Sequence, residues 1–482
     1  MDRGESTAKN LGFVGAAHFI AAVLNALILL ILARFLSPAD FGIYAICLVV
    51  YNLAISTTIL GLDSAVIHYA GDVEKAYETA STIRLTLGIS AAAIILLLAE
   101  QFSLFYGQSD LAPAILVIVL VIIVVALSFE SITRLTRNLN FKAISISRII
   151  NSVCWSAGAL LFALLGLGFL SLPLALLLGS IGLLVSLSIF QPWRIRHRIN
   201  REVARPLLRY GAFMLGTTFL VFLAYNVDKL VVGKILGGVV LGTYWIAYTY
   251  GTLMPNIFTG IVSSVMFPTF ARAQQDTGKM KRQYFIAVKY LAWVSVPIGI
   301  GVIAISTTFV NVFFDSSWSA VALPLSIFSI LGIIQSVTAP ASSVLMATGH
   351  PNVMFMQAFV VAVPYFVVLL PVVMYTGILG VSLLFVAIGV VSYSWISVFI
   401  ARILKCSVIE VIRPLVFPLI ASILIVPICM IAQAWLGQSL VSLAVQVVLG
   451  AGSFAALMML LTKGSFISEL RHIYRSLRHR PE

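Results

Sequence analysis

Apolar runs of membrane-spanning length recur along almost all of this 482-residue chain, and that recurrence limits its fold more than any other feature. A helix needs ~20 apolar residues to cross a hydrocarbon core of about 30 Å. Backbone groups left unpaired there are too costly, so a spanning segment rich in such runs is helical. Breaks at charged, Pro, Gly and Asn clusters divide the sequence into about 14 spans. They lie near 11–33, 41–62, 83–103, 113–133, 147–166, 171–190 and 210–233. The remainder lie near 244–266, 288–308, 323–345, 357–375, 380–401, 413–434 and 441–462. With 61% hydrophobic and 10% charged residues, the chain cannot cover a water-soluble domain with polar surface. The fold class is therefore all-α and polytopic in a membrane.

Charge orients those spans. Placing the N-terminus inside puts every basic residue except Arg34, Lys229 and Lys234 on the cytoplasmic side. Lys and Arg are costly to translocate, so this alternation places both termini in the cytoplasm. The net charge of +13 reads as that positive-inside signal and requires no nucleic-acid partner. Two basic stretches have extra shape. In 193–208, Ile195, Ile199, Val203 and Leu207 repeat every four residues, with Arg194, Arg198, Arg201 and Arg205 on other faces. In the tail, Phe466, Leu470, Ile473 and Leu477 alternate with Arg471, Arg475 and Arg478. Both predict helices lying on anionic lipid of the inner leaflet.

A faint internal repeat adds domain organisation. ARFLSPADFGIYAI at 33–46 returns as GKILGGVVLGTYWI at 233–246, with Leu36, Gly42, Tyr44 and Ile46 matched by Leu236, Gly242, Tyr244 and Ile246. Arg34 is matched by Lys234, and each copy is the hinge between two apolar runs. Duplicated hinges in that setting predict two similar helical bundles, an architecture of transporters. The expected divisions are an N-terminal six-helix lobe (1–191), a basic amphipathic linker (192–209) and a C-terminal six-helix lobe (210–402). Two additional spans (403–462) and a basic tail (463–482) complete the chain.

Other chemistries leave no pattern. The six histidines are dispersed, with no HExxH pair, and Cys47, Cys154, Cys406 and Cys429 have neither metal nor disulfide spacing. No phosphate-cradling Gly loop joins a strand to a helix, and the longest extracytoplasmic loops, near 103–113 and 309–323, could not hold a catalytic domain. No catalytic residue, metal or cofactor is expected. The first apolar run is too long for a signal-peptide core and reads as a retained span.

LARFLSPADFGIYA, from Leu32 to Ala45, resembles the first-hairpin signature of the polysaccharide-transporter flippases, the Wzx-type exporters of O-antigen and exopolysaccharide repeat units. NVDKLVVGKILGGVVLGTYWIAY, from Asn226 to Tyr248, is similar to the seventh-span signature of the same family. The resemblance implies the fold of the multidrug/oligosaccharidyl-lipid/polysaccharide exporter superfamily: two parallel-repeat six-helix lobes around a central cavity, plus two C-terminal helices. It also implies translocation of an undecaprenyl-pyrophosphate-linked oligosaccharide across the bacterial inner membrane by alternating access. Polysaccharide polymerase and export proteins are the implied protein partners. A proton, a sodium ion or neither would drive it. A multidrug cation antiporter of the same superfamily and a membrane glycosyl- or acyltransferase are the competing readings.

Charges within spans are the functional candidates, because a sugar headgroup and pyrophosphate cannot cross hydrocarbon unaided. Asp228 and Lys229, preceded by Tyr225 and Asn226, lie deep in span seven, where span one carries Ile28 and Leu29. Neighbouring residues point about 100° apart on a helix, which disfavours a mutual pair. Lys229 would attract pyrophosphate and Asp228 would be its counter-charge or a coupling-ion site; a structural charge pair is the alternative. Glu130 and Arg134 are one turn apart, as an interfacial ion pair or a second binding site. Arg34 and Lys234 are snorkelling anchors or ligands, while Asp63, His68 and Arg84 edge an inner loop as gate residues or ordinary loop polarity. Pro255, Pro297, Pro340, Pro364, Pro371, Pro418 and Pro427 predict more bending in the second half of the chain.

Overall fold

The computed structural model describes residues 2–469, except 60, 70, 193–198, 256, 258–265, 267, 268, 465 and 467. For residues 2–13, 59, 64, 68, 210–217, 220, 221, 351 and 355 it describes the backbone alone. Helices and connecting turns account for the described residues, which contain no strand. They form two compact units, one of residues 1–246 with 358–381 and one of 247–357 with 382–482.

The first unit begins with α1 (Asp2–Leu32), α2 (Pro38–Ile59) and a short α3 (Leu62–His68). It continues through α4 (Val73–Tyr106), α5 (Leu111–Leu127), α6 (Phe129–Arg137), α7 (Phe141–Leu164), α8 (Ser171–Phe190) and α9 (Arg201–Leu236). Side-chain caps explain several of these starts. Asp72, Asn140 and Asn200 accept from backbone amides in the first turns of α4, α7 and α9, satisfying donors a helix leaves orphaned. Within this unit α7 packs on α1 and α8, α4 on α5, and α2 on α5 and α9.

After α10 (Gly238–Gly251), the chain forms α11 (Thr277–Phe313), α12 (Ala322–Ala347) and α13 (Pro351–Ile403). Then come α14 (Val408–Ser422), α15 (Ile425–Leu436) and α16 (Leu440–Leu461). In the second unit α11 packs on α12, α14, α15 and α16. Asp276 and Ser439 cap α11 and α16, and Ser407 with Glu410 forms a capping box on α14.

Among the described residues, eleven helical stretches are long and apolar enough to cross a membrane. That number counts α13 once, although Gly377, at φ 62 and ψ −154, separates two helices within it. Those two match the expected spans at 357–375 and 380–401, and glycine supplies the positive φ without a Cβ clash. The expected spans at 210–233 and 244–266 include residues outside the described set. The expected prolines fall in more than one setting. Pro297, Pro340, Pro364 and Pro371 lie inside helices assigned as continuous, while α5 gives way to α6 at Ser128 without a proline. Pro427 does mark a break: it falls in the first turn of α15, where a missing amide donor costs nothing.

The two amphipathic stretches correct a further expectation. Residues 193–198, with Arg194 and Arg198, lie outside the described set, and from Arg201 onward the stretch is the first turns of α9 itself. Val203 and Leu207 are buried against Leu62, Val66, Tyr77 and Phe129, leaving Arg201 and Arg205 exposed. This part of the apolar face is covered by protein, because α3 and α4 supply a better-packed partner than lipid, while Ile199 stays 56% exposed. In the tail, Phe466 likewise packs on Trp293 and Phe454, while Leu470, Ile473 and Leu477 lie outside the described residues.

Candidate functional site

The two copies of the repeated hinge touch. An added Cβ on Gly42 would sit 2.0 Å from the Gly238 carbonyl oxygen, and one on Gly242 would sit 1.8 Å from the Pro38 carbonyl oxygen. Backbone therefore lies directly on backbone, an approach that only a residue without a side chain permits. Aromatic rings close the contact on one side. Trp245 of the second copy packs edge-on to Tyr44 at 5.6 Å and lies 6.1 Å from Phe41 of the first. Tyr44, Ile46, Tyr244 and Ile246 are all buried. The matched glycines and tyrosines are thus the two faces of one joint.

Beside that joint lies the buried charge. Asp228 is fully buried and Lys229 is 6% exposed. The Tyr244 hydroxyl donates to Asp228 Oδ2 at 2.7 Å, returning from α10 to the helix that carries the carboxylate. Lys229 Nζ donates to the Tyr225 carbonyl at 2.7 Å and reaches Asp228 at 3.2 and 3.3 Å. The flexible lysine stem folds back along α9, so the pair forms despite the 100° between neighbours. Flexibility of that stem overcomes the angle that makes adjacent helical residues poor partners. Tyr225 itself contributes its backbone, its ring being 52% exposed, and Asn226 is buried with its amide on the Phe222 carbonyl at 2.9 Å. Unequal distances matter here. Asp228 is shared between the Tyr244 hydroxyl at 2.7 Å and the Lys229 ammonium at 3.2 Å, while Lys229 also donates to a neutral carbonyl at 2.7 Å.

Glu130 and Arg134 make the expected pair at 2.9 Å, but Arg134 does more. Its guanidinium also forks onto Glu74 at 2.9 and 2.7 Å and lies 4.1 Å over the Tyr77 ring. Arg137 donates to the Val66 and Tyr69 carbonyls at the end of α3. This network ties α4, α6 and the α3 terminus together.

Arg84 is 3% exposed, and its Nε and Nη1 lack hydrogen-bond partners among the described residues. Phe129 lies 5.9 Å below its guanidinium. Asp63 shares its environment, with one oxygen buried and unpartnered. Burial pushes the Asp63 carboxyl above its ordinary pKa, and the Arg84 charge offsets part of that rise. The side chain of His68, the third expected gate residue, lies outside the described set. At the hinge ends, Lys234 donates to the Phe105 carbonyl and lies 4.4 Å over the Phe105 ring, while Arg34 is exposed. The structure pairs Asp228 with Lys229 and Glu130 with Arg134, and it places Asp63 within the electrostatic reach of Arg84. Sequence reasoning missed Tyr244 as the partner of Asp228, although its place in the repeat marked it for attention. Glu74 and Tyr77 left no signal, since the pairing with Arg134 spans 60 positions.

A model of polysaccharide biosynthesis proteins matches residues 31–323, more than half of the chain, including both hinges and the charged segment of α9. This chain belongs to that polysaccharide biosynthesis family. WzxC, a lipopolysaccharide biosynthesis protein of Escherichia coli (strain K12), is 25% identical over 366 residues, covering 74% of this chain and 73% of WzxC. The lipid II flippase MurJ, in an inward closed conformation, superposes with a TM-score of 0.74 at 16% identity, covering 94% of this chain and 99% of MurJ. An inward-facing multidrug transporter of the MATE family gives a TM-score of 0.64 at 12% identity and covers 82% of this chain. The polysaccharide biosynthesis protein therefore has the all-helical, multi-pass transporter fold expected from its sequence.

Proposed function

We propose that this protein flips a lipid-linked oligosaccharide, carried on undecaprenyl pyrophosphate, from the cytoplasmic to the periplasmic leaflet of a bacterial inner membrane. The observation that carries the reading is an ion pair, Lys229 with Asp228, buried within an apolar helix bundle. A buried ammonium is costly unless it serves a ligand or a pathway. Membership of a polysaccharide biosynthesis family supplies the ligand class, and the fold shared with a lipid II flippase supplies the motion.

Lys229 is the group that meets the pyrophosphate. When its ammonium leaves, Asp228 keeps the Tyr244 hydrogen bond, so the carboxylate is not stranded. A coupling cation, proton or sodium, would enter the place that Lys229 vacates beside Asp228. The touching hinges are a fixed joint, and both termini are cytoplasmic as the basic residues indicate. Polymerase and export proteins act on the product. The protein works as a transporter rather than an enzyme.

The MATE likeness keeps a multidrug antiporter as the second reading, because it shares the fold. Lipid extracts from a deletion strain separate the readings. Loss of a flippase strands complete lipid-linked repeat units inside, while loss of a drug exporter leaves them unchanged. Truncated units would instead indicate an enzyme. Lys229→Gln and Asp228→Asn, expressed in that strain, should each reproduce the accumulation. Wild-type translocation by both variants would sink the role given to this pair.

A further inference from the structure

A cavity of about 890 Å³ opens in the second unit, between the first half of α11, the first part of α14 and the end of α16. That size suits a small-molecule or headgroup ligand. Four cations line it, Arg282, Lys289, Arg413 and Lys463, with two carboxylates, Glu410 and Glu469. Both carboxylates are already taken. Lys281 holds Glu410 at 2.8 Å, and Lys289 holds Glu469 at 2.6 Å. Among the described residues, Arg282, Arg413 and Lys463 have no ion pair. Three positive charges thus face the cavity without a counter-ion among the described residues.

The same helices also line the cavity with apolar side chains. Tyr290, Trp293, Phe417 and Leu461 form this lining, and the Lys289 ammonium lies 4.8 Å over the Trp293 ring. Eleven helical positions separate Arg282 from Trp293, about 16 Å along α11, which is enough to run from the headgroup layer into hydrocarbon. On the rim, Ile286 is 42% and Phe417 47% exposed, apolar surface that acyl chains would cover in a bilayer. The apolar lining therefore suits an amphiphile better than free phosphate, which would leave it uncovered. Basic pockets between cytoplasmic helix ends recognise lipid phosphates in this way. Given the proposed orientation, this end faces the cytoplasm.

We propose that this cavity binds an anionic glycerophospholipid of the inner leaflet. Its phosphate sits among Arg282, Arg413 and Lys463, and its upper acyl chains lie on Trp293 and Phe417. The lipid bridges α11, α14 and α16 and neutralises their unpaired charge. It is a resident lipid, distinct from the cargo assigned to Lys229.

Native mass spectrometry of the purified full-length protein tests this, using phosphatidylglycerol and phosphatidylcholine with identical acyl chains. The wild type should prefer phosphatidylglycerol by roughly tenfold or more. The combined variant Arg282→Gln, Arg413→Gln, Lys463→Gln should lose that preference, while Lys142→Gln in the first unit should keep it. Equal binding of the two lipids, or an unchanged preference in the triple variant, overturns the proposal. Inorganic pyrophosphate at millimolar concentration should leave the lipid bound. If it displaces the lipid and binds alone as tightly, the site is one for free phosphate and the proposal fails. Should the triple variant not fold, fluorescence of the wild-type sequence serves: brominated phosphatidylglycerol should quench a component that Trp293→Phe removes. Quenching identical in both proteins refutes the site. No translocation is measured, so these results stand whether or not the flippase reading survives.

Discussion

The two hinge copies share a scaffold and differ in one chemical respect. Ile28 and Leu29 are buried, as are Asp228 and Lys229 at the matching positions. Both copies present a glycine to the joint and a buried tyrosine behind it. In the first copy, however, the Tyr44 hydroxyl faces the Trp155 side chain, whereas Tyr244 donates to a carboxylate. Equal burial with opposite polarity separates two jobs. The glycines and tyrosines build the joint, and the charges were placed in one copy at an energetic cost that packing alone does not require.

The joint itself offers the largest effect. Gly42→Leu or Gly242→Leu would drive a side chain into backbone, which cannot yield as a side chain can. Destabilisation beyond about 4 kcal/mol is expected, seen as loss of monodisperse protein on gel filtration. Normal folding of both variants would break the claim that the copies form one joint.

Next in size is Asp228→Ala, which removes the carboxylate beside the buried Lys229 ammonium, at about 3–5 kcal/mol. The combined change Asp228→Ile, Lys229→Leu restores the first copy's identities and sharpens the comparison most. Its thermal stability should equal or exceed the wild type, because a buried ion pair is seldom better than apolar packing. Translocation should nonetheless be lost. Retained transport would mean that the broken symmetry is structural.

A smaller contrast comes from the tyrosines. Tyr244→Phe removes a hydrogen bond to a charged group and should cost about 1.5–3 kcal/mol in a denaturation midpoint. Tyr44→Phe, which touches no carboxylate, should cost clearly less. Comparable losses would erase the distinction drawn between the copies.

The mildest effect concerns pH at Asp63. Its pKa is raised in the folded protein, so folding takes up the proton more readily than the unfolded chain does. The stability it contributes is therefore present below the unfolded pKa and is lost as pH rises through the folded value. Asp63→Asn should flatten that loss, narrowing the difference between melting temperatures near pH 5 and near pH 7. A steeper dependence in the variant would contradict the sign.

Legibility differed along the chain for physical reasons. Spans such as 171–190, which matches Ser171–Phe190, were readable because hydrocarbon demands ~20 apolar residues wherever a helix crosses it. Caps such as Asp72 and Asn200 are local and act within three residues. Arg134 shows the limit. Its bond to Glu130 was readable from one helical turn, but the fork onto Glu74 depends on α4 and α6 meeting. Val203 and Leu207 show another limit, since a helical apolar stripe records that something covers it, not whether lipid or protein does so.

By itself, then, the sequence determined the class, the positions of most spans, the duplication and the residues that break it, because those follow from solvent, length and local pattern. Tertiary structure decided that the two hinges close on each other through glycine backbone. It also decided that Tyr244 holds Asp228 and that a cation of α11, one of α14 and one just past α16 share one cavity. Each of these joins residues far apart in the chain, and only packing sets the distances on which their hydrogen bonds and charge interactions depend.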